Sequence, residues 1–476
     1  FTTYVQTSDE RKNWRSGERT PLSQFQSYCI LMAKLRWEAA REQIESFRGK
    51  RIPVTTSAED SACHSLLSTC LQLTQMERTY FSLNFMLPKA FFRKENTLLL
   101  SYSQIKSELC RLVDVNSESM RSCTAEDLRR RFIDLVSARV SLMNVYSAFS
   151  TNNLGLLNEL CMLINVLASV EEMLWSSRKH DCMASLFELV CGEVRLLRLL
   201  LEVQLALLRC QFLPSLLKLK DVCERMRQWF NSVEYAKSRC KSSNSFFRFR
   251  WFYCCYRYYW QTESKHDSVA SSSTRNSSMQ LCEWLEHLYW LLLSKFSLYF
   301  YDTLSAQCSN ADVEHTVAAI KTPNFVHAFF NFHRKSDACF IALIVNGTSC
   351  SDSSTGSGYS LEDADGEGGG ELKRKFPVLF RTGADKSEFE RLFPSLSILI
   401  QEAAESNFPN DRIKYCHDSR LSKTFFVLLV ECNIYMALVF PRKLAERDGA
   451  VVNFMLENGA LLRCAKACQS LRGVSK

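Results

Sequence analysis

The spacing of apolar residues between positions 21 and about 307 is the strongest constraint on this chain, because it follows the 3.6-residue helical period in stretch after stretch. Leu66, Leu67, Cys70, Leu73, Tyr80 and Phe81 fall toward one helix face. Thr56 and Glu59 stand three apart just before that run, the spacing at which hydroxyl and carboxylate satisfy the first amides reciprocally. Pro88 is expected to end the helix. Thr124 and Asp127 repeat the signal ahead of Leu128, Phe132, Leu135, Val136, Val140, Met143, Tyr146 and Phe149. Residues 154–176 and 182–211 have the leucine density of central helices. Pro214 lacks an amide hydrogen, so the helix must kink or restart near Phe212. The pattern resumes through Leu216, Leu219, Val222, Met226 and Trp229. Residues 280–304 are apolar nearly all round and belong inside a bundle.

Past position 307 the period changes. A short helical stretch ends near Arg334, and residues 338–345 are apolar and strand-like. Residues 396–400 are short and rich in branched side chains, which also suggests a strand. Residues 424–430 and 434–440 flank Glu431, Cys432 and Asn433 as in a hairpin. A helix from about Asp448 to Leu471 closes the pattern. The expected fold class is therefore α plus α+β. An antiparallel helical bundle over 21–307 precedes a small α+β domain with an antiparallel sheet over 308–476. Residues 1–20 read as a disordered lead-in, 236–279 as a basic, aromatic and Ser-rich insertion, and 348–375 as a Ser/Gly/acidic loop.

At 476 residues the chain is long enough for two or three units, and 46% hydrophobic with 23% charged residues is ordinary for a globular protein. A net charge of +8 over this length does not by itself imply nucleic acid. The 21 cysteines fall largely within helical patterns, where cysteine packs as a small hydrophobe, so reduced thiols of a cytosolic chain are expected. Glu193, Arg195, Arg198 and Glu202 interrupt one apolar stretch, and Glu283, Glu286 and Lys295 another. Neither reaches the roughly 18 uncharged residues of a spanning helix. The sequence opens at Phe1 rather than a methionine and reads as a partial chain.

No constellation for catalysis stands out. The sequence contains neither a GxxxxGK[ST] loop nor an HExxH pair. Gly356 and Gly358 sit in a serine-rich loop without a following helix. Cys416 and His417 are adjacent, which seldom lets them face each other, and His327 and His333 are badly spaced for one metal. His180 lies near Cys182 at a helix start, where a solvated loop is the expected setting. Glu171 with Glu172, and Asp363 with Asp365, read as solvated faces. No enzyme, cofactor or metal is expected. The one odd chemical feature is residues 246–260, where Phe247, Arg248, Arg250, Trp251, Arg257 and Trp260 alternate cations with rings. That composition suits an anionic membrane surface or a partner protein, and it can also stack nucleic-acid bases. No recognised RNA-binding motif accompanies it, so nucleic acid is the weaker alternative, and a loop without a binding role is the plain reading.

Three blocks carry a family resemblance. Residues 210–219 read Cys-Gln-Phe-Leu-Pro-Ser-Leu-Leu-Lys-Leu, with Trp229 downstream. Residues 293–300 read Leu-Ser-Lys-Phe-Ser-Leu-Tyr-Phe, followed by Leu304 and Ser305. Pro323, Asn324 and Phe325 precede Phe332, Arg334, Lys335, Asp337 and Ala338. Together they resemble the KICSTOR subunit 2 family, with weaker echoes at Phe91, Phe92, Arg93 and Lys94 and at Phe393 and Pro394. The 236–279 insertion, the Ser/Gly loop and the segment before Pro21 depart from that pattern. The resemblance implies a scaffold without catalytic residues. It implies partners in the other KICSTOR subunits and, through them, GATOR complexes and Rag GTPases. It also implies a place in the cytoplasm, peripheral to the lysosomal membrane, in restraining TOR complex 1 when amino acids are scarce.

Overall fold

A computed structural model describes residues 21–48, 58–83, 97–111, 124–151, 157–177, 181–233, 280–307, 323–347, 375–406 without Ala384, then 409, 411–465 and 467. Within them, ten helices come first: α1 (Pro21–Ala33), α2 (Trp37–Arg48), α3 (Ala58–Phe81), α4 (Thr97–Arg111), α5 (Thr124–Thr151), α6 (Leu157–Ser177), α7 (Ala184–Leu208), α8 (Phe212–Ser232), α9 (Gln280–Tyr299) and α10 (Tyr301–Gln307). Then follow α11 (Phe325–Lys335), β1 (Phe340–Val345), β2 (Val378–Arg381), α12 (Lys386–Glu405), β3 (Ile413–Asp418), β4 (Lys423–Glu431), β5 (Ile434–Phe440) and α13 (Gly449–Leu462). The expected class, a helical bundle with a smaller α+β part, is the class observed.

α7 and α9 are the central helices, each with buried residues on nearly every side. The break expected at Pro214 is a restart. The amide of Gln211 donates to the Ala206 carbonyl at 3.0 Å, and Cys210 takes a left-handed φ of 51°, which closes α7 as glycine usually does. Pro214 then occupies the first turn of α8, where no intrahelical donor is needed. Gly192 on α7 makes room for α8: a Cβ there would lie 2.3 Å from Trp229 Cδ1, and the indole donates to the Leu189 carbonyl at 2.8 Å. α3 ends at Phe81, earlier than expected, with Leu83 left-handed; Thr56 and Pro88 lie outside the described residues.

The five-stranded sheet has the order β2-β1-β5-β4-β3, antiparallel throughout. The period-2 alternation buries both faces. Ile341, Leu343, Phe426, Leu428, Val430, Met436, Leu438 and Phe440 join the same core as the bundle helices and α13. Phe340, Ala342, Ile344, Phe425, Val427, Ala437 and Val439 pack under α12. One hydrophobic core therefore runs from the bundle onto the sheet.

One expectation needs correction. Residues 396–400 are not a strand but part of α12, whose buried face is Phe389, Leu392, Phe393, Leu396, Ile400 and Ala403. Five residues are too few to separate the two periods, and the helix shows only when its flanks are included. Asp385 caps it, accepting from the amides of Ser387 and Glu388 at 3.0 and 3.1 Å. The final helix, capped by Asp448, runs to Leu462, Cys464 turns left-handed with φ 58°, and the expected end near Leu471 lies outside the described residues.

Candidate interaction site

Among the described residues the catalytic candidates are not brought together, and His180 lies outside them. Cys416 and His417 sit on β3, and His417 faces Thr424 across the ladder, with Nδ1 3.0 Å from its Oγ1. His327 bonds Asn331 on its own helix. No group of three or more His, Cys, Asp or Glu among the described residues could hold a metal ion. Burial pushes the thiols of Cys29, Cys70 and Cys282 well up and that of Cys464 up to about 12, which suppresses the nucleophilic thiolate. Among the described residues no helix is long and apolar enough to cross a membrane. Phe247, Arg248, Arg250, Trp251, Arg257 and Trp260 lie outside the described residues, as do residues 1–20 and, except for Lys375, the Ser/Gly loop.

Two buried polar clusters dominate the interior, and both contain charges that had read as mere interruptions of apolar runs. In the first, Arg139 on α5 lies between Glu77 on α3 and Glu193 on α7, all with fully buried side chains. Arg139 donates from Nε and Nη2 to the two Glu77 oxygens at 2.8 Å each, and from Nη1 to Glu193 at 2.5 Å. Tyr102 donates to Glu77 at 2.9 Å, while Tyr80 and Tyr146 donate to Glu193 at 2.5 and 3.1 Å. The guanidinium also lies 4.3 Å from the centre of the Tyr80 ring. Burial, reinforced by the facing carboxylates, raises all three phenols well above their usual range. They are hydroxyl donors that stay protonated, and four helices are keyed to one guanidinium.

The second cluster lies between the bundle and the sheet. The Lys295 ammonium on α9 donates to Glu431 on β4, to Gln204 on α7 at 3.0 Å, and to the Leu462 carbonyl at the end of α13 at 3.1 Å. Three donors meet three acceptors. Tyr299 and the Gln204 amide donate to the two Glu431 oxygens at 2.9 and 3.0 Å. Arg463 reaches the carbonyls of Leu429 and Val430 at 3.3 Å. A buried ion pair is weak evidence of net stability, but removing one partner leaves an uncompensated charge.

The surface is otherwise charged in the usual way. Glu171 is not a solvated face: it is largely covered and pairs with Nε of Arg195 and of Arg198 at 2.7 and 3.0 Å, while Glu202 takes Arg198 and Lys218. Exposed apolar side chains include Leu100 on α4, Ile398 on α12 and several on α6. Its inner residues Leu160, Leu167, Val170 and Leu174 are buried, yet Met162 is 64%, Val166 44% and Trp175 58% exposed. α8 adds a smaller exposed pair, Leu213 and Leu217.

Comparison with known proteins shows the family of this chain. A family described as "KICSTOR complex C12orf66 like" matches residues 16–270 and 255–476, which is nearly the whole chain. The chain belongs to this family. The KICSTOR subunit 2 of Danio rerio is 22% identical over 422 residues, covering 87% of this chain and 88% of that protein. The KICSTOR subunit 2 of Xenopus laevis is 22% identical with 86% and 88% covered. The three blocks that resemble the KICSTOR family converge in space. Phe212 packs on Phe296 and Phe300 with centroids 5.6 and 5.2 Å apart. Ser294 accepts from the Phe325 amide at 3.0 Å, and between them Lys295 enters the second cluster. The KICSTOR-like segments are thus the joint between bundle and sheet. Sequence reasoning found them by resemblance alone, because a lysine in an apolar helix does not reveal an acid 136 residues away.

Proposed function

We propose that this chain is a non-catalytic scaffold subunit of a KICSTOR-like complex. In this reading it recruits the GATOR complex that acts on Rag GTPases to the lysosomal surface, and so restrains TOR complex 1 signalling on amino-acid deprivation. Its place is cytoplasmic, peripheral to the lysosomal membrane. The supporting observation is the family match across nearly the whole chain, 16–270 and 255–476, with bundle and sheet sharing one core. A scaffold of this kind acts by raising the local concentration of its partners.

The test is affinity purification of the tagged full chain from its own cells, read by mass spectrometry, with cells fed and starved of amino acids. The scaffold reading expects other KICSTOR subunits and GATOR components in the eluate. Their absence from repeated purifications overturns it. Deletion of residues 246–260 separates the membrane alternative: lysosomal placement that survives the deletion is placement by partners.

A further inference from the structure

The Lys295 cluster brings an amine, a carboxamide and a carboxylate into mutual contact, which makes it a set of reactants as well as an ion pair. Lys295, Gln204 and Glu431 are all sealed from solvent, at 0%, 1% and 1% exposure. The ammonium donates to the Gln204 carbonyl oxygen at 3.0 Å, so the carboxamide carbon stands one short bond beyond. Glu431 bridges the two. Its Oε2 accepts from the Lys295 nitrogen, and its Oε1 accepts from the Gln204 amide nitrogen at 3.0 Å. One carboxylate thus touches both the nitrogen placed to attack and the nitrogen placed to leave. Tyr299 donates to Oε2 at 2.9 Å, and the Leu462 carbonyl accepts from Lys295 at 3.1 Å, which fixes carboxylate and amine. The Cys464 thiol, kept protonated by burial, faces the same Gln204 oxygen at 4.0 Å. The Arg139 cluster has no such chemistry, because a guanidinium does not give up its proton and no carboxamide accompanies it.

We propose that Lys295 and Gln204 join in an isopeptide bond that the protein forms by itself, with Glu431 as the proton relay. Glu431 Oε2 takes one proton from the Lys295 ammonium, and the neutral amine attacks Cδ of Gln204. The Nζ–Cδ bond forms while the carbonyl electron pair moves onto oxygen. As that pair returns, the Cδ–Nε2 bond breaks. Nζ gives up a second proton, through Glu431, to Nε2, which departs as ammonia. Nothing is oxidised or reduced, and no co-reactant is consumed. Glu431 keeps the first proton, so two buried charges give way to a neutral amide and a neutral acid. That relieves the desolvation penalty of a buried ion pair. Holding amine and carboxamide in contact supplies the drive, since well-oriented intramolecular groups react as if at about 10⁵ M or more. Exclusion of water leaves hydrolysis no foothold. The event occurs once per chain rather than in turnover, so it stands beside a scaffold role. It fastens α7 to α9, across 91 positions of sequence, where both meet the sheet.

The test is mass spectrometry of the purified, folded full chain. Its intact mass should be that of the sequence less one ammonia. A tryptic digest should contain a branched peptide joining 199–209 to 276–321, uncut after Lys295 because an acylated lysine carries no charge for trypsin to read. Lys295→Arg keeps the cation but cannot attack, and Glu431→Gln removes the relay, so each should lose the branched peptide completely. A wild-type chain at full mass, with 199–209 and 276–295 recovered as separate peptides, overturns the proposal. So does a branched peptide that Glu431→Gln forms as readily as wild type. Both substitutions disturb a buried pair, so a second measurement uses wild type alone. The fraction linked should be the same at every protein concentration, as for a reaction within one chain. A fraction that rises with concentration marks a reaction between molecules and overturns the self-formed bond.

Discussion

The Arg139 and Lys295 clusters solve the same problem in opposite ways. Both bury charge completely, and both use α7, through Glu193 and Gln204 eleven positions apart, close to three helical turns. The Arg139 cluster is all side chain and lies wholly within the bundle, with one cation between two acids and three phenols supplying further donors. The Lys295 cluster pairs one cation with one acid and anchors it to backbone, through the Leu462 carbonyl. The first specifies how four helices cross. The second specifies where the sheet sits on them. Burial of charge in this protein therefore acts more as a locating device than as a source of adhesion.

The largest expected effect comes from removing the shared cation. Arg139→Met leaves two buried acids facing each other, at a cost of about 3–5 kcal/mol, and the whole chain should melt markedly earlier by circular dichroism. Equal melting curves would mean that the cluster is not closed in solution. Glu431→Gln should cost about 3 kcal/mol but locally. Hydrogen exchange should quicken in β4, β5 and α13 while α3 and α5 keep their protection. Uniform loss of protection would erase the distinction between the two clusters.

Alkali sharpens the comparison by counting phenols. Burial, with the acids, holds Tyr80, Tyr102 and Tyr146 above the ordinary value of 10.0 in one cluster, and Tyr299 alone in the other. A folded pKa above the unfolded one means that the stabilisation is complete below pH 10 and is lost as pH rises past it, because the unfolded chain gives up the proton first. Each phenol adds about 1.4 kcal/mol per pH unit to that decline. Urea midpoints measured from pH 9 to 11 should flatten about three times more on changing the three bundle tyrosines to Phe than on Tyr299→Phe. The smallest effect belongs to exposed charge: Arg41→Ala, which breaks the pair with Glu45 on α2, should leave the melting temperature unchanged.

The long helices and the β4–β5 hairpin were legible because their signals are local and repeat over many residues. β2 and β3 were not. β2 has only four residues, and β3 is half-buried along its whole length, so neither has a full apolar alternation. Within α12, a five-residue window showed branched residues where a twenty-residue helix stands.

Amphipathic period within the chain determined that it would be a helical bundle followed by a sheet, since each stripe needs only its own neighbours to be recognised. Which charges would be buried was decided by tertiary structure alone. Glu193 and Glu202 lie nine positions apart in the same helix, yet one is fully sealed beneath Arg139 and the other, though largely covered, pairs with the partly exposed Arg198 and Lys218. The cost of burying a carboxylate depends on partners brought from distant segments, and that information appears only when the helices have packed.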